Sequence, residues 1–196
     1  MNEIVLRGII RDIEYSHSVN NVDYYQAKII CSRNDKQDII LIKFKQYVNT
    51  YKDGDFVELV GNIRSFSKQL DNGKNKVELY VFTYQDIPED VNTINEFVLD
   101  GRICKIEELR TTKSGKHNLH FVVANNITTE KQKINNYCPS VVWGKLAREM
   151  STLKVSDRVK LKGQLHSREY KKHLDDGSIE IRVAHELYIT DYELID

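Results

Sequence analysis

Cysteine is rare in this chain of 196 residues and badly spaced for chemistry: Cys31, Cys104 and Cys138 are odd in number, far apart and without a CxxC pair. Such a set excludes a disulfide framework and a zinc site. The histidines show no HExxH or related metal spacing, and no glycine-rich loop leads from a strand into a helix to cradle phosphate. Asp175-Asp176 lies in a turn beside Gly177, and Ser114-Gly115 has no paired base, so no metal, cofactor or catalysis is expected. No apolar run approaches the length needed to cross a bilayer, and Met1 leads directly into strand-like sequence without a basic and apolar leader. The expectation is a cytoplasmic protein without membrane contact. Net charge is lacking too, since 29 basic residues balance 29 acidic ones. Bulk attraction to a polyanion is thereby excluded, and recognition by charge must come from local clustering.

What the chain contains is enough apolar sequence to fold, 40% against 30% charged, in a pattern that occurs twice. Asn2-Glu3-Ile4-Val5-Leu6-Arg7-Gly8 corresponds to Asn95-Glu96-Phe97-Val98-Leu99-Asp100-Gly101. Asp55-Phe56-Val57-Glu58-Leu59-Val60-Gly61-Asn62-Ile63 corresponds to Asp157-Arg158-Val159-Lys160-Leu161-Lys162-Gly163-Gln164-Leu165. A repeat of this length is a domain and not a solenoid unit. The boundaries read as 1–86 and 95–196, with 87–94 as linker, because Pro88 cannot pair within a central strand. So short a linker should hold the two units close together. Residues 1–93 carry 12 Lys and Arg against 14 Asp and Glu, and the remainder 17 against 15 together with five of the six histidines.

Periodicity predicts strands over 4–13, 25–29, 39–44, 57–66 and 77–84 in the first half, with a loop over 16–21. Gly8 lies inside the first of them, where a strand can bend around a barrel. Phe44, Tyr47, Val48 and Tyr51 recur at helical spacing ahead of Asp53-Gly54, which predicts a helix of two to three turns. The second half repeats the order with strands over 97–109, 119–124, 137–143, 159–170 and 179–189, and with Leu146, Met150 and Leu153 marking its helix. Five strands with a helix between the third and fourth is the plan of the OB-fold. The expected class is therefore all-β with one short helix per domain, two tandem five-stranded Greek-key barrels, a fold whose outer face binds oligonucleotides and oligosaccharides.

Alternation along 158–170 puts Val159, Leu161 and Leu165 inside. It leaves Arg158, Lys160, Lys162, Gln164, His166, Arg168 and Tyr170 on the opposite face, a cationic run without an acid that ends in a ring. Single-strand binders combine such a track with rings on which bases stack. The bland reading is an edge strand guarded by charge, and a bulge at Gly163 would shift the parity. In the first half the equivalent face reads Phe56, Glu58, Val60, Asn62, Arg64 and Phe66, with the basic track lost and apolar groups gained. That face suits protein contact, with Phe56 and Val60 as oligomer contacts. Phe66, Arg64, Phe44 and Lys43 remain as secondary nucleic-acid candidates, so the second domain is expected to lead in binding.

Further along the second half, Gly101-Arg102-Ile103 leads to Glu108-Leu109-Arg110-Thr111-Thr112-Lys113-Ser114-Gly115, then to Phe121-Val122-Val123-Ala124 and Val141-Val142-Trp143-Gly144-Lys145-Leu146-Ala147. Val159 to Leu165 and Ser167-Arg168-Glu169-Tyr170 follow before Asp176-Gly177. This ordered set of motifs resembles the OB domain of bacterial single-stranded DNA-binding proteins. The first half matches only through Leu6-x-Gly8 and Gly61-Asn62-Ile63. By sequence alignment Ile42 or Phe44 is expected where the second half has Trp-Gly-Lys, and the Leu-Arg-Thr-x-x-Ser-Gly loop has no counterpart.

The resemblance implies non-catalytic, largely sequence-independent binding and protection of single-stranded DNA in replication, recombination or repair, alongside the proteins of those processes, with RNA a weaker ligand. It places Tyr137, Trp143 and Tyr170 where the family carries base-stacking aromatics, although a core position under the following helix also suits Trp143. Loop cations Arg110, Lys113, Lys116, Lys131, Lys133, Lys171 and Lys172, with Lys145 of the Trp-Gly-Lys motif, would meet phosphates. Single-domain relatives assemble four barrels, so a two-barrel chain is expected to reach four as a homodimer. The competing reading is a primosome-type replication accessory protein that acts mainly as a protein adaptor. It is favoured by the neutral charge, the apolar first-domain face and the ending Asp191-Tyr192-Glu193-Leu194-Ile195-Asp196, which is acidic and apolar but has no long tether.

Overall fold

Alternating burial defines the strands: Ile4, Leu6 and Ile10 of the first are inaccessible while Glu3 before them and Ile9 among them face outward. The computed structural model describes residues 1–33, 36–46, 51–69, 73, 75–86, 94–128, 133–174 and 177–195. Its elements are β1 (Asn2–Val19), β2 (Val22–Arg33), β3 (Lys36–Lys45), β4 (Phe56–Gln69), β5 (Asn75–Asp86), β6 (Glu96–Ile106), β7 (Arg110–Thr111), β8 (His117–Thr128), β9 (Lys133–Trp143), α1 (Gly144–Met150), β10 (Arg158–His173) and β11 (Ile179–Leu194). The stretch 16–21 is not a loop. β1 runs on to Val19 and turns at Asn20 and Asn21, whose φ angles of 51° and 60° are the left-handed values a two-residue hairpin needs and asparagine tolerates. The helix expected over 44–54 falls partly on 47–50, outside the described residues. Phe44 itself ends up in β3, buried, with Tyr51 packed edge-on against it at 5.6 Å. Most of the expected linker, 87–93, also lies outside the described residues.

The pairings close two OB barrels. β1 pairs with β2 and β4, β2 with β3, β4 with β5, and β3 runs parallel to β5 at Ile42 and Val81. The second barrel repeats this with β6 against β8 and β10, β8 against β9, β10 against β11, and β9 parallel to β11. Inside are Ile29, Ile40, Ile42, Leu59 and Ile63 in one barrel, and Leu99, Phe121, Val123, Leu161 and Leu165 in the other. Ala147 and Met150 of α1 are buried with the second set. A glycine at the centre of β4 and of β10 lets the next strand cross closely. A Cβ on Gly61 would come within 2.6 Å of the Phe82 carbonyl oxygen, and one on Gly163 would overlap that of Tyr188. The register shifts beside both glycines, but the extra residues, Tyr84 and Thr190, belong to β5 and β11, so the parity of β10 does not slip.

The two barrels form one continuous sheet, because β1 also pairs antiparallel with β6. Asn2 lies opposite Leu99, Glu3 opposite Val98, Ile4 opposite Phe97 and Val5 opposite Glu96. Ile4 and Phe97 are equivalent positions of the repeat, so a pseudo-twofold passes through their pair. The polar groups at the seam follow the same symmetry. Asn2 Nδ2 donates to Ile63 O (2.8 Å) and Asn2 Oδ1 accepts from Ile63 N (2.8 Å). Asn95 clasps Leu165 in the same way, at 2.8 Å and 2.9 Å. Ser65 N donates to Asn136 Oδ1 (3.0 Å) while its Oγ accepts from Tyr137 N (2.8 Å). The sister latch has Ser167 N donating to Asp38 Oδ1 (2.9 Å) and Ile39 N donating to Ser167 Oγ (2.8 Å).

The clasp made by Asn95 is buried, so its loss leaves a backbone donor and acceptor unsatisfied away from water. Asn95→Ala should destabilise the protein by about 1–3 kcal/mol, read from the urea midpoint at unchanged m-value. An unshifted midpoint would mean that solvent replaces the clasp.

Candidate nucleic-acid interface

Strand β10 carries two different surfaces. From Arg158 to Gly163 it lies between β6 and β11, where Lys160 faces Asp100 on one side and Glu193 on the other. Lys162 Nζ sits 3.4 Å from Asp191 Oδ2. The acid-free track expected over 158–170 is therefore interrupted. Strand parity identified the face correctly, but neighbouring strands supply the carboxylates, so Lys160 and Lys162 belong to a mixed-charge surface. Beyond Gly163, Gln164, His166 and Arg168 turn into a cavity of about 680 Å³ that also contains Trp143 of β9, Tyr188 and Glu186 of β11, and Arg33 and Lys36 from the other barrel.

Trp143 ends β9 as the residue before α1, 37% exposed, so it is not a core residue. His166 stacks on Tyr188, with ring centroids 4.6 Å apart and 23° between planes. His166 lies in the run of outward residues on β10 but is not one of its cations near neutral pH. Burial, with Arg33 and Lys36 nearby, outweighs Asp38 and pushes its pKa down to about 4, so the ring is neutral near pH 7 and serves as an aromatic platform. Tyr137 is 48% exposed on the same face of β9 as Trp143. Six residues of strand separate the two, roughly 20 Å. Tyr137 stands instead beside Ser65 of the first barrel. Tyr170 is half-buried, with Lys76 Nζ of the first barrel 5.8 Å from its ring centroid.

The loop cations are dispersed, and all of those described are exposed except the half-buried Lys172. Arg110, Lys113 and Lys116 lie in and beside the β7–β8 turn, with Arg110 bound to Glu107 at 2.9 Å. Lys133 opens β9, Lys145 sits on α1 near Glu149 (3.4 Å), and Lys171 and Lys172 lie towards the tip of the β10–β11 hairpin. Lys131 lies outside the described residues.

The first barrel presents more rings and cations than strand β4 alone suggested. Arg64 packs over Phe82 at 4.1 Å, and Lys43 lies 4.8 Å from the Tyr80 ring and 5.4 Å from Phe66. Phe66 and Tyr80 are 5.8 Å apart, and Tyr24 touches Phe82 at 6.4 Å. Phe66 thus joins this aromatic and cationic surface and not the apolar stripe of Phe56 and Val60, while Phe44 points into the core. Tyr24, Tyr80 and Phe82 of the first barrel, Tyr188 of the second, and Arg33 and Lys36, which the first barrel brings to the cavity beside Tyr188, were missed by the sequence reading. Tyr80 and Phe82 alternate along β5 with the same period that singled out β10, so that signal was available. Nothing in the sequence places Arg33 and Lys36 opposite Trp143.

An OB barrel whose outer face carries rings flanked by arginine and lysine defines a binder of single-stranded nucleic acid. The model of the Single-strand binding protein family matches residues 94–194, just over half of the chain, and the chain belongs to that family, whose members bind DNA without catalysis. The wild-type single-stranded DNA binding protein from Thermus aquaticus matches at TM-score 0.74 and 14% identity, covering 100% of this chain and 93% of that one. A deletion mutant of it matches at the same TM-score and identity, with 94% of its chain covered. At that identity the likeness shows the fold. The protein priB from Ralstonia solanacearum overlaps 53% of the chain at 16% identity, with a TM-score of 0.41 that bears no argument. A search of curated proteins finds no match. No helix among the described residues is long and apolar enough to cross a membrane.

Two histidines give the seam a pH dependence. His185 is half-buried and its Nε2 donates to Ile39 O (2.8 Å). Burial lowers its pKa as it does that of His166, outweighing the carboxylates of Glu78 and Asp38. The unfolded chain protonates both near pH 6.5. Their contribution to stability is therefore complete above that pH and falls as pH drops from about 6.5 towards 4. Denaturant midpoints measured across this window should decline with acid, and His166→Phe, which keeps a ring on Tyr188, should flatten the decline. An unchanged slope would remove His166 from the account.

Proposed function

We propose that this protein binds and protects single-stranded DNA with little regard to sequence, stacking bases on exposed rings while lysine and arginine contact the phosphates. The observation that carries this reading is the groove of Trp143, His166, Tyr188 and Arg168 on an OB barrel of a chain in the single-strand binding family. Stacking is indifferent to base identity because every base has a π-face. Tyr137 and Tyr170 extend the stacking surface towards the first barrel, and Arg64, Phe66, Tyr80 and Phe82 offer a second one there. Arg110, Lys113, Lys116, Lys133, Lys145, Lys171 and Lys172 are the loop contacts to phosphate. Replication, recombination and repair are the settings for such a protein, with their enzymes as partners. RNA binds less tightly in this reading.

A homodimer of four barrels completes the proposal. Phe56 is 67% exposed opposite Ile9, and Val60 faces Val5 across the same pair of strands, with the Arg7–Glu58 ion pair (2.8 Å) between. This outer face of β1 and β4 lies on the solvent side of the first barrel and forms an apolar patch that a twofold mate would cover.

Titration with oligo(dT) should quench the fluorescence of Trp143, with affinity falling as salt rises at a slope of about −0.7 per phosphate contact. Oligo(rU) should bind more weakly. Tyr137→Ala, Trp143→Ala and Tyr170→Ala should each cost about 1–3 kcal/mol of binding. Phe66→Ala should cost less, since Tyr80 and Phe82 remain on its face. Unchanged emission in a sample that binds DNA would remove Trp143 from the interface.

Val60→Glu should convert the dimer to monomers with both barrels folded. Sedimentation equilibrium at micromolar concentration checks this, and a monomeric unmodified protein would sink the assembly proposal.

A further inference from the structure

The pseudo-twofold supplies an internal control at the two Ser/Asx latches. In one, Ser65 is held by Asn136, a neutral amide whose Nδ2 is buried without a hydrogen-bond partner among the described residues. In the other, Ser167 is held by Asp38, fully buried, which also binds Arg33 through Nε (2.9 Å) and Nη2 (3.4 Å). An amide therefore suffices to close the latch. Burying a carboxylate instead costs desolvation that only a partner offsets. The strand registers show what that partner replaces: Arg33 and Lys36 lie opposite each other where β2 meets β3, and the equivalent pair of β8 and β9 is Ile127 and Ile134. At this pair of equivalent positions the cations stand on the side of the seam whose cavity holds Trp143.

Resting on the reading of that groove as a DNA site, we propose that Arg33 and Lys36 of the first barrel form a phosphate clamp for the strand stacked on Trp143 of the second. The strand's path then crosses the seam within one chain. Asp38 fixes the guanidinium of Arg33 at the cavity wall, using donors from Nε and Nη2 out of the five the group carries. A planar group held in this way is pre-organised for a phosphate, so little side-chain freedom is lost on binding. Lys36 stands beside it as a mobile point charge, and Arg168 supplies a third cation from the second barrel. A base on Trp143 or on the His166–Tyr188 stack would have its backbone between these groups. Glu186, the acid in the same cavity, disfavours phosphate on its own side and so favours the Arg33 side.

The double variant Arg33→Gln/Asp38→Asn removes the ion pair without changing net charge, and leaves an amide in place of the carboxylate to hold Ser167 as Asn136 holds Ser65. Oligo(dT) affinity should drop roughly tenfold, the size of a lost charge-assisted hydrogen bond, and the salt slope should shrink by about 0.7. Lys36→Gln, at an exposed position, should shrink the slope by a similar amount with a several-fold loss. Circular dichroism confirms folding, and if the double variant does not fold, Lys36→Gln decides alone. Folded variants that bind oligo(dT) within twofold of the unmodified protein, at unchanged slope, overturn the clamp. Failure of the unmodified protein to bind oligo(dT) would instead overturn the reading on which it rests.

Discussion

The short ladder between β1 and β6 is the constraint on which the rest of the molecule depends. β1 is already paired on both sides further along, with β2 and β4, and at its start it offers an open edge on the side away from β4. Filling that edge with β6 satisfies backbone groups that would otherwise template pairing with another chain. It also fixes the barrels in one sheet about an axis through Ile4 and Phe97, both buried. The Ser65 and Ser167 latches, which tie one barrel to the other, require that alignment. So does the cavity that sets Arg33 of one barrel before Trp143 of the other.

Because both barrels are encoded in one chain, symmetric positions are free to differ. A homodimer repeats every substitution on both sides of its axis. Here Arg7 facing Glu58 becomes Asp100 facing Lys160, with the signs exchanged, and Ile9 facing Phe56 becomes Arg102 facing Arg158. At the position of Trp143 the first barrel has Lys45, and not Ile42 or Phe44 as the sequence alignment suggested, because the strand registers place those two inside the barrel. The sheet's outer face is thereby apolar over the first barrel and charged over the second, while rings and cations gather on the walls and at the seam. One fold used twice yields two unequal surfaces.

Much of the architecture was legible because burial forces a period of two on every strand. The alternation of Val159, Leu161 and Leu165, the Trp-Gly-Lys junction into α1 and the glycines at 61 and 163 all sit where their chemistry requires. The extent of β1 was not legible, because Asn20 and Asn21 make a two-residue turn inside a polar stretch that reads as a loop. The two functions of β10 were not legible either, since alternation along a strand says nothing of what lies on the strands beside it.

The sequence by itself determined the two OB barrels, the membership of the second in the single-strand binding family, and the identity of Trp143, Tyr137 and Tyr170 as candidate rings. Local pattern suffices for these because each depends on periodicity or on contiguous motifs. Only the tertiary structure decided that Lys160 and Lys162 meet carboxylates, that burial keeps His166 neutral, and that Phe66 joins an aromatic and cationic surface instead of an assembly face. It alone brought Arg33 and Lys36 to Trp143. Those outcomes depend on which strands become neighbours across long stretches of chain, and electrostatics and desolvation act through space without regard to sequence separation.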